Sequence, residues 1–223
     1  MKMAPILRQF DKSDLLHRFL VHTGQHYDPS LSDRFFSDLE ISDPDAYLGV
    51  GSGSHAVQTA RVMEGMDDLF DRQDFAALLV VGDVNSTLAS ALVAAKRRIP
   101  VIHVEAGLRS FDRNMPEEIN RILTDRISDL LFVTEQSGAD NLAAEGIPPE
   151  TVVLVGNVMI DSLFHARPKA VPAAETFRKA LPDSSAAADQ IHDYALLTLH
   201  RPANVNDPAI LKQLLAAIAE IAE

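Results

Sequence analysis

The sequence predicts an α/β fold, a doubly wound parallel sheet with helices on both faces. Short apolar runs rich in valine, isoleucine and leucine alternate along the chain with longer stretches of helical character. Strands that are apolar on both faces are typical of a parallel sheet that lies between two layers of helices. The predicted strands are 19–21, 77–81, 101–104, 130–133, 152–155 and 194–199. The predicted helices are 2–12, 53–73, 86–97, 117–127, 136–145 and 207–222.

Residues 168–193 interrupt this alternation. They contain three prolines and a run of serine and alanine without a strand-like segment, so we interpret them as a helix plus an interdomain connection. The first domain is then 1–167, and 194–223 begins a second domain. The first domain opens with a helix where an α/β domain normally opens with a strand, and one βα unit cannot bury both of its faces. We therefore expect the first domain to lack its first strand and the second domain to be incomplete.

Composition restricts the classes of partner. The 223 residues include 32 acidic and 20 basic side chains, for a net charge of −12. This charge argues against nucleic acid or an anionic membrane as the main partner. It allows an anionic small molecule, which backbone amides and a few placed cations can hold. The sequence has no cysteine, no apolar run as long as a membrane span and no signal-peptide pattern, so we expect a cytoplasmic protein.

Polar residues follow four of the predicted strands at their carboxyl ends. In open α/β sheets ligands bind at this edge, so side chains that follow different strands are expected to converge there. The four segments are 22–26, 82–87, 105–110 and 200–204. They hold carboxylates, arginines and histidines, a set suited to acid–base chemistry on an anionic ligand.

The carboxylates near this edge have both a functional and a structural interpretation. Asp83 is either a site acid or a turn or helix-capping residue. Glu105 directly follows a β-branched strand, where an unpaired carboxylate is costly, and Arg109 is its candidate structural partner. Glu117 and Glu118 stand at a helix start, where the helix dipole favours acids. Crowded carboxylates with separated pKa values could alternatively act as acid and base.

The histidines do not indicate a metal site. His22, His26 and His103 lack a helical His-x-x-x-His spacing, and no cysteine accompanies them, so no metal is expected. His200 and Arg201 follow the last predicted strand and join an imidazole to a guanidinium. Such a pair is better suited to hold a phosphate group.

Several longer motifs occur in the order seen in one enzyme family. They are Thr23-Gly24-Gln25-His26, Gly82-Asp83, His103-Val104-Glu105-Ala106-Gly107-Leu108-Arg109, Pro116-Glu117-Glu118-Ile119-Asn120-Arg121, Gly156-Asn157-Val158-Met159-Ile160-Asp161 and His200-Arg201. With these motifs essentially the whole chain resembles the non-hydrolysing UDP-N-acetylglucosamine 2-epimerases. The strings HVEAGLRS and PEEINR are too long to agree by chance.

The resemblance implies a glycosyltransferase-B type architecture, in which a UDP-sugar binds between two Rossmann-like domains. It implies an isomerase that interconverts UDP-N-acetylglucosamine and UDP-N-acetylmannosamine, the activated sugar for surface polysaccharide. The reaction eliminates UDP to leave 2-acetamidoglucal and then adds UDP back. This chemistry needs no cofactor, and family members are commonly homodimers.

The resemblance also implies roles for individual residues, and it leaves open which carboxylate removes the C2 proton. The implied catalytic residues are Asp83, Glu105, Glu117 and His200. The residues expected to bind substrate are Arg109, Arg201 and Asn204. Gln25 and Arg61 resemble positions that hold a second, regulatory UDP-N-acetylglucosamine in bacterial members.

The sequence departs from the family at both ends. It opens just after the family's first strand and its Gly-Thr-Arg-Pro-Glu turn, and it lacks the later Ser-Gly-Gly loop and glutamate that hold the phosphates and the ribose. We therefore expect this chain by itself to be inactive or nearly so. The alternatives are a hydrolysing epimerase or a glycosyltransferase of the same fold, and a non-catalytic remnant that binds a UDP-sugar or dimerises.

Overall fold

A computed structural model describes residues 1–24, 36–180, 194–199 and 202–222 of the chain. The helices and strands, in chain order, are α1 (Met3–Phe10), β1 (Val21–His22), β2 (Ala46–Tyr47), α2 (His55–Arg72), β3 (Leu78–Val81), α3 (Asn85–Lys96), β4 (Val101–Ala106), α4 (Pro116–Ile127), β5 (Leu130–Val133), α5 (Gln136–Ala144), β6 (Val152–Leu154), α6 (Val158–Ala166), α7 (Ala173–Ala180), α8 (Pro202–Val205) and α9 (Pro208–Ala222). The chain divides into two compact units, Met1–Lys169 and Ala170–Glu223.

The first unit is built on parallel strands. Strands β3, β4, β5 and β6 are hydrogen-bonded in that order, and β1 pairs with β2 in a separate two-stranded sheet. The register places Val80 opposite His103 and Val104 opposite Phe132, so the strands end along one edge. The predicted parallel α/β sheet is confirmed.

Apolar helix faces pack against this sheet. Val62, Met66 and Phe70 follow one another at intervals of four residues on α2 and are buried together with Val80 of β3. Side chains spaced by four lie on one side of a helix, which gives α2 a continuous apolar face. A second buried cluster joins Leu142 of α5 to residues of β4 and β5.

Five of the six predicted strands and all six predicted helices are present, with ends that differ by two residues or fewer. The predicted strand at 194–199 is wrong, because these residues form neither strand nor helix. A strand needs a neighbour for its backbone N–H and C=O groups, and none of the described residues of the second unit supplies one. Strand β2 and helices α6 and α8 were not predicted. Helix α6 does carry a local signal, since Asn157 caps it by accepting a hydrogen bond from the Met159 N–H at 2.9 Å.

The second unit contains helices α7, α8 and α9. Phe177 of α7 packs edge-on against Tyr194, with ring centroids 5.1 Å apart. The helix predicted within 168–193 is therefore present as α7, whereas the assignment of 194–223 to a second domain stays a prediction. None of the helices in the described ranges is both long and apolar enough to cross a bilayer.

Candidate active site

Two neighbouring strands bring acidic residues to the same edge of the sheet. Strand β3 ends at Val81 and is followed by Gly82 and Asp83, whereas Glu105 is the penultimate residue of β4. The Gly82 N–H donates to the carbonyl of Val104, the residue before Glu105, at 3.1 Å. This bond keeps the ends of the two strands side by side, as expected for Asp83 and Glu105.

Glu105 lies at an irregularity in β4. The pairing of β4 with β5 shifts register between Val104 and Ala106, and Glu105 has a φ of 71°. Left-handed backbone is unfavourable for a residue with a Cβ atom. Bulges of this kind redirect a side chain and are over-represented beside active sites. The combination of a register shift and left-handed backbone therefore makes Glu105 a functional candidate.

The carboxylate of Glu105 is paired with Lys2. Nζ of Lys2 donates to Oε1 at 2.8 Å. It also lies 2.7 Å from Oε2, an ion-pair distance without the alignment of a hydrogen bond. The alternative in which Arg109 partners Glu105 is therefore wrong.

Asp83 forms an ion pair with Arg121 of α4. A second nitrogen of the same guanidinium, Nη1, donates to Glu118 at 2.9 Å. Burial lowers the pKa of Arg121, but the hydrogen bonds and charges of the two carboxylates outweigh burial and hold the pKa above its ordinary value. The helix-capping interpretation of Asp83 is wrong, because the N-cap of α3 is Val84, without a side-chain bond.

Glu118 holds the loop that precedes α4. Its Oε2 accepts a hydrogen bond from the Ser110 N–H at 2.9 Å, and its Oε1 accepts one from the Phe111 N–H at 3.0 Å. Burial of Glu118 raises its pKa, but these backbone bonds and the bond from Arg121 bring the pKa below its ordinary value. Glu118 thus orders the loop and orients Arg121 toward Asp83.

Glu117 stands at the start of α4 beside these pairs. It is half-buried and forms no hydrogen bond or ion pair with any residue that the structure describes. Of the three candidate acids, Glu105 and Asp83 therefore have cation partners, whereas Glu117 has none among the described residues. Across the described part of the chain, no three histidine, aspartate or glutamate side chains are grouped closely enough to hold a metal ion.

A buried charge network centred on Asp125 lies behind the edge. Its Oδ1 is 2.6 Å from Nδ1 of His103, and its Oδ2 accepts hydrogen bonds from the Gly107 N–H at 3.1 Å and from Nη1 of Arg109 at 2.7 Å. Nε2 of His103 lies 2.9 Å from the carbonyl oxygen of Gly82. The network thereby connects the segments that follow β3 and β4.

Arg109 is surrounded by acceptors of the protein itself. Nε and Nη2 donate to Glu145 at 2.7 and 2.8 Å, and Nη1 donates to Asp125 and to the Leu108 carbonyl. Burial lowers the pKa of Arg109, but its bonds to Glu145 and Asp125 outweigh burial and hold the pKa above its ordinary value. The implied substrate-binding role of Arg109 stays a prediction.

Comparison with known proteins identifies the family to which the chain belongs. A family model described as UDP-N-acetylglucosamine 2-epimerase matches residues 8–223. The chain belongs to the UDP-N-acetylglucosamine 2-epimerase family. The epimerase of that name from Methanocaldococcus jannaschii is 40% identical over 222 residues, which are 100% of this chain and 59% of the relative. The UDP-2,3-diacetamido-2,3-dideoxy-D-glucuronate 2-epimerase of Pseudomonas aeruginosa is 40% identical over 99% of this chain and 59% of its own length.

A solved structure agrees in fold. The crystal structure of the M. jannaschii epimerase in complex with UDP-GlcNAc and UDP superposes with a TM-score of 0.85 at 38% identity, over 99% of this chain and 59% of that chain. The α/β fold of these glycosyltransferase-B type epimerases is therefore confirmed. The chain spans about 59% of the length of the relatives it matches.

The remaining residues implied by the resemblance fall in three places. Gln25, His200 and Arg201 lie outside the described residues. Arg61 is exposed on α2, and its Nη1 donates to two carbonyls of the loop before that helix at 3.0 and 3.5 Å. Asn204 lies in α8 of the second unit.

Two cations of the candidate site were not predicted as site residues. Arg121 lies four residues after Glu117, a spacing that places both on one side of α4, so the sequence carried a signal for it. Lys2 is 103 positions away from its partner Glu105. No local pattern could indicate that pair.

Proposed function

We propose that the protein is a non-hydrolysing UDP-N-acetylglucosamine 2-epimerase and that Asp83, Glu105 and Glu117 supply its acid–base groups. The observation that supports this is the grouping of acidic residues at one sheet edge, two of them held by cations, in a chain of this family. Because the chain spans about 59% of its relatives, the activity of the whole protein is part of the proposal.

Inversion at C2 requires a proton to leave one face of the sugar and return to the other. In the proposed reaction a carboxylate takes the C2 proton while the bond between C1 and the UDP oxygen breaks, which leaves UDP and 2-acetamidoglucal. Protonation of C2 from the opposite face and return of UDP to C1 complete the inversion. Nothing is oxidised or reduced overall, so these reaction steps require no redox cofactor.

Fixed carboxylates suit the two proton transfers. Acid–base groups contribute most when their distance to the reacting atom is set before the reaction. Lys2 and Arg121 hold the carboxylates of Glu105 and Asp83, and Glu117 stands next to them on α4. We assign both proton transfers to this set of three residues.

The roles of the other implied residues rest on the motif match. We propose that His200, Arg201, Asn204 and Arg109 bind the substrate, with the imidazole and guanidinium groups on its diphosphate. Gln25 and Arg61 are proposed to hold a regulatory UDP-N-acetylglucosamine. A homodimer and a cytoplasmic location are also proposed, and the mass of the purified protein in solution tests the former.

A second substrate has support from one relative. The P. aeruginosa protein named UDP-2,3-diacetamido-2,3-dideoxy-D-glucuronate 2-epimerase is as similar to this chain as the M. jannaschii epimerase, at 40% identity each. Such a substrate carries a second acetamido group at C3 and a carboxylate at C6. Its C2 chemistry would be the same, so a direct comparison of the two sugars as substrates decides between them.

NMR spectroscopy of the chain with UDP-N-acetylglucosamine in D₂O tests the proposed function. Loss of the C2 proton signal reports proton abstraction, and the anomeric and phosphorus signals report UDP-N-acetylmannosamine or free UDP. We expect the sugar signals to broaden on binding, with little conversion by this chain alone. Fast conversion would support the epimerase and contradict the expected inactivity. If the signals show no broadening and the C2 proton does not exchange, the proposal is refuted. Release of free N-acetylmannosamine would favour the hydrolysing alternative.

A matched pair of variants shows whether the site residues act. Glu105→Gln and Asp67→Asn each replace an acid by its amide, and Asp67 pairs with Arg97 at 2.6 Å on the surface of the first unit. We expect exchange at C2 to fall by about 100-fold or more in Glu105→Gln, the usual contribution of an acid–base group, and to be unchanged in Asp67→Asn.

A further inference from the structure

His103 and Asp125 form a polar pair in the core that the proposed chemistry does not use. Both side chains are 0% exposed. Polar and charged groups are costly to bury, and apolar residues of similar volume at such positions are often as stable or more so. The pair therefore requires a reason beyond filling space.

The contacts of His103 point to that reason. Its Nε2 lies 2.9 Å from the carbonyl oxygen of Gly82. A carbonyl oxygen can only accept, so Nε2 carries a proton and donates it to Gly82. On the other side of the ring, Nδ1 lies 2.6 Å from Oδ1 of Asp125, which fixes the plane of the imidazole.

The carbonyl that His103 holds belongs to the peptide bond leading into Asp83. The N–H of Gly82 is bonded to Val104 at 3.1 Å, so both polar backbone groups of Gly82 are attached to β4. Because a peptide unit is planar, fixing the Gly82 carbonyl also fixes the N–H of Asp83. Nδ2 of Asn120 holds the next carbonyl, that of Asp83, at 2.9 Å.

The same buried carboxylate also reaches the end of the neighbouring strand. Oδ2 of Asp125 accepts a hydrogen bond from the N–H of Gly107, two residues after Glu105, at 3.1 Å. Asp125 thus restrains the backbone after β4 directly and the backbone after β3 through His103.

We infer that His103 is a positioning residue for the site: oriented by Asp125, it fixes the Gly82 carbonyl and thereby the direction in which Asp83 leaves β3. His103 touches no substrate in this account. The inference rests on the proposed function only in treating Asp83 as a reacting group.

Two substitutions of His103 separate this role from a merely structural one. The amide nitrogen of glutamine is as many bonds from Cα as Nε2, and that of asparagine is as many bonds from Cα as Nδ1. His103→Gln can therefore keep the bond to Gly82, whereas His103→Asn can keep only the bond to Asp125. Val62→Ala, which creates a cavity under the buried face of α2, controls for a general loss of stability.

The first readout is the backbone amide signal of Asp83 in ¹H–¹⁵N NMR spectra, which needs no substrate. Both His103 variants remove the ring current of the imidazole, so we expect this signal to shift slightly in His103→Gln, much more in His103→Asn, and not at all in Val62→Ala. Equal shifts in the two His103 variants, or a shift in His103→Gln alone, would overturn the inference. If a variant does not fold, the ring signals of His103 in the unaltered chain decide, since an unprotonated Nε2 would also overturn it.

The second readout is exchange of the C2 proton of UDP-N-acetylglucosamine in D₂O. We expect kcat in His103→Asn to fall about 100-fold with KM nearly unchanged, and His103→Gln to retain most of the rate. If kcat falls only in proportion to the loss of melting temperature, as we expect in Val62→Ala, the positioning role is overturned. If the unaltered chain shows neither binding nor exchange, the proposed function fails, while the Asp83 amide signals still test the inference.

Discussion

Replacement of Glu118 by glutamine tests whether one carboxylate holds the loop before α4. Oε2 of Glu118 accepts hydrogen bonds from the Ser110 N–H and from Arg121, and Oε1 accepts one from the Phe111 N–H. Glutamine has nearly the same shape, but its amide nitrogen cannot accept. With the remaining oxygen at the Oε2 position, the variant loses the bond from Phe111 and the negative charge that faces Arg121.

The contacts set the size of the effect. A hydrogen bond to a charged group contributes about 1.5–3 kcal/mol, and a buried donor left without an acceptor costs about 1–3 kcal/mol. Phe111 is 81% exposed, so water can reach its N–H and the second cost is small. We therefore expect the free energy of unfolding to fall by about 2 kcal/mol.

Urea unfolding followed by circular dichroism measures this difference, with Asp67→Asn as the surface control that should leave stability unchanged. The pKa of Glu118 in the fold lies below its ordinary value of 4.5, so its stabilising effect is fully present above that value and is lost as pH falls through the folded pKa. The gap between wild type and Glu118→Gln should accordingly close in acid. A gap below about 0.5 kcal/mol at pH 7, or one that acid leaves unchanged, would refute the reasoning.

Two further substitutions test the close approach of α5 and the cation at Glu105. Gly107→Ala puts a Cβ atom 2.3 Å from the Gly138 carbonyl oxygen at a φ of 77°, so we expect a loss of about 3 kcal/mol or more in urea unfolding. Gly146→Ala shares the left-handed backbone, with a φ of 75°, but has open space, and should lose only about 1–2 kcal/mol; equal losses would contradict the described packing. Lys2→Met keeps an apolar stem but leaves the largely buried carboxylate of Glu105 without its cation, so we expect C2 exchange to slow by about 100-fold and the melting temperature to fall. An unchanged exchange rate would show that Lys2 does not position Glu105.

Local patterns were sufficient for the sheet and for most helices. Near-continuous apolar runs such as 130–133 predict buried parallel strands because both faces of such a strand are covered. The same pattern misled at 194–199, where apolar residues occur without a neighbouring strand. Apolar character is a property of the segment, whereas strand pairing depends on a partner elsewhere in the chain.

The position of the candidate acids at the sheet edge was predictable, but their contacts were not. The rule that ligands bind at the carboxyl ends of strands located Asp83 and Glu105 correctly at one edge. It could not show that Lys2 rather than Arg109 pairs with Glu105, nor that Arg109 pairs with Asp125 and Glu145. These pairs join residues far apart in sequence, and no periodicity records them.

The left-handed backbone at Glu105 makes selection for stability and selection for activity favour different residues at this position. Glycine would adopt the φ of 71° without steric cost, but it would also remove the carboxylate and leave Lys2 without its partner. A library screened only for heat resistance should therefore enrich glycine or asparagine at this position, while a library screened for turnover should retain glutamate. Sequencing both populations would mark residue 105 as functional from the divergence between them.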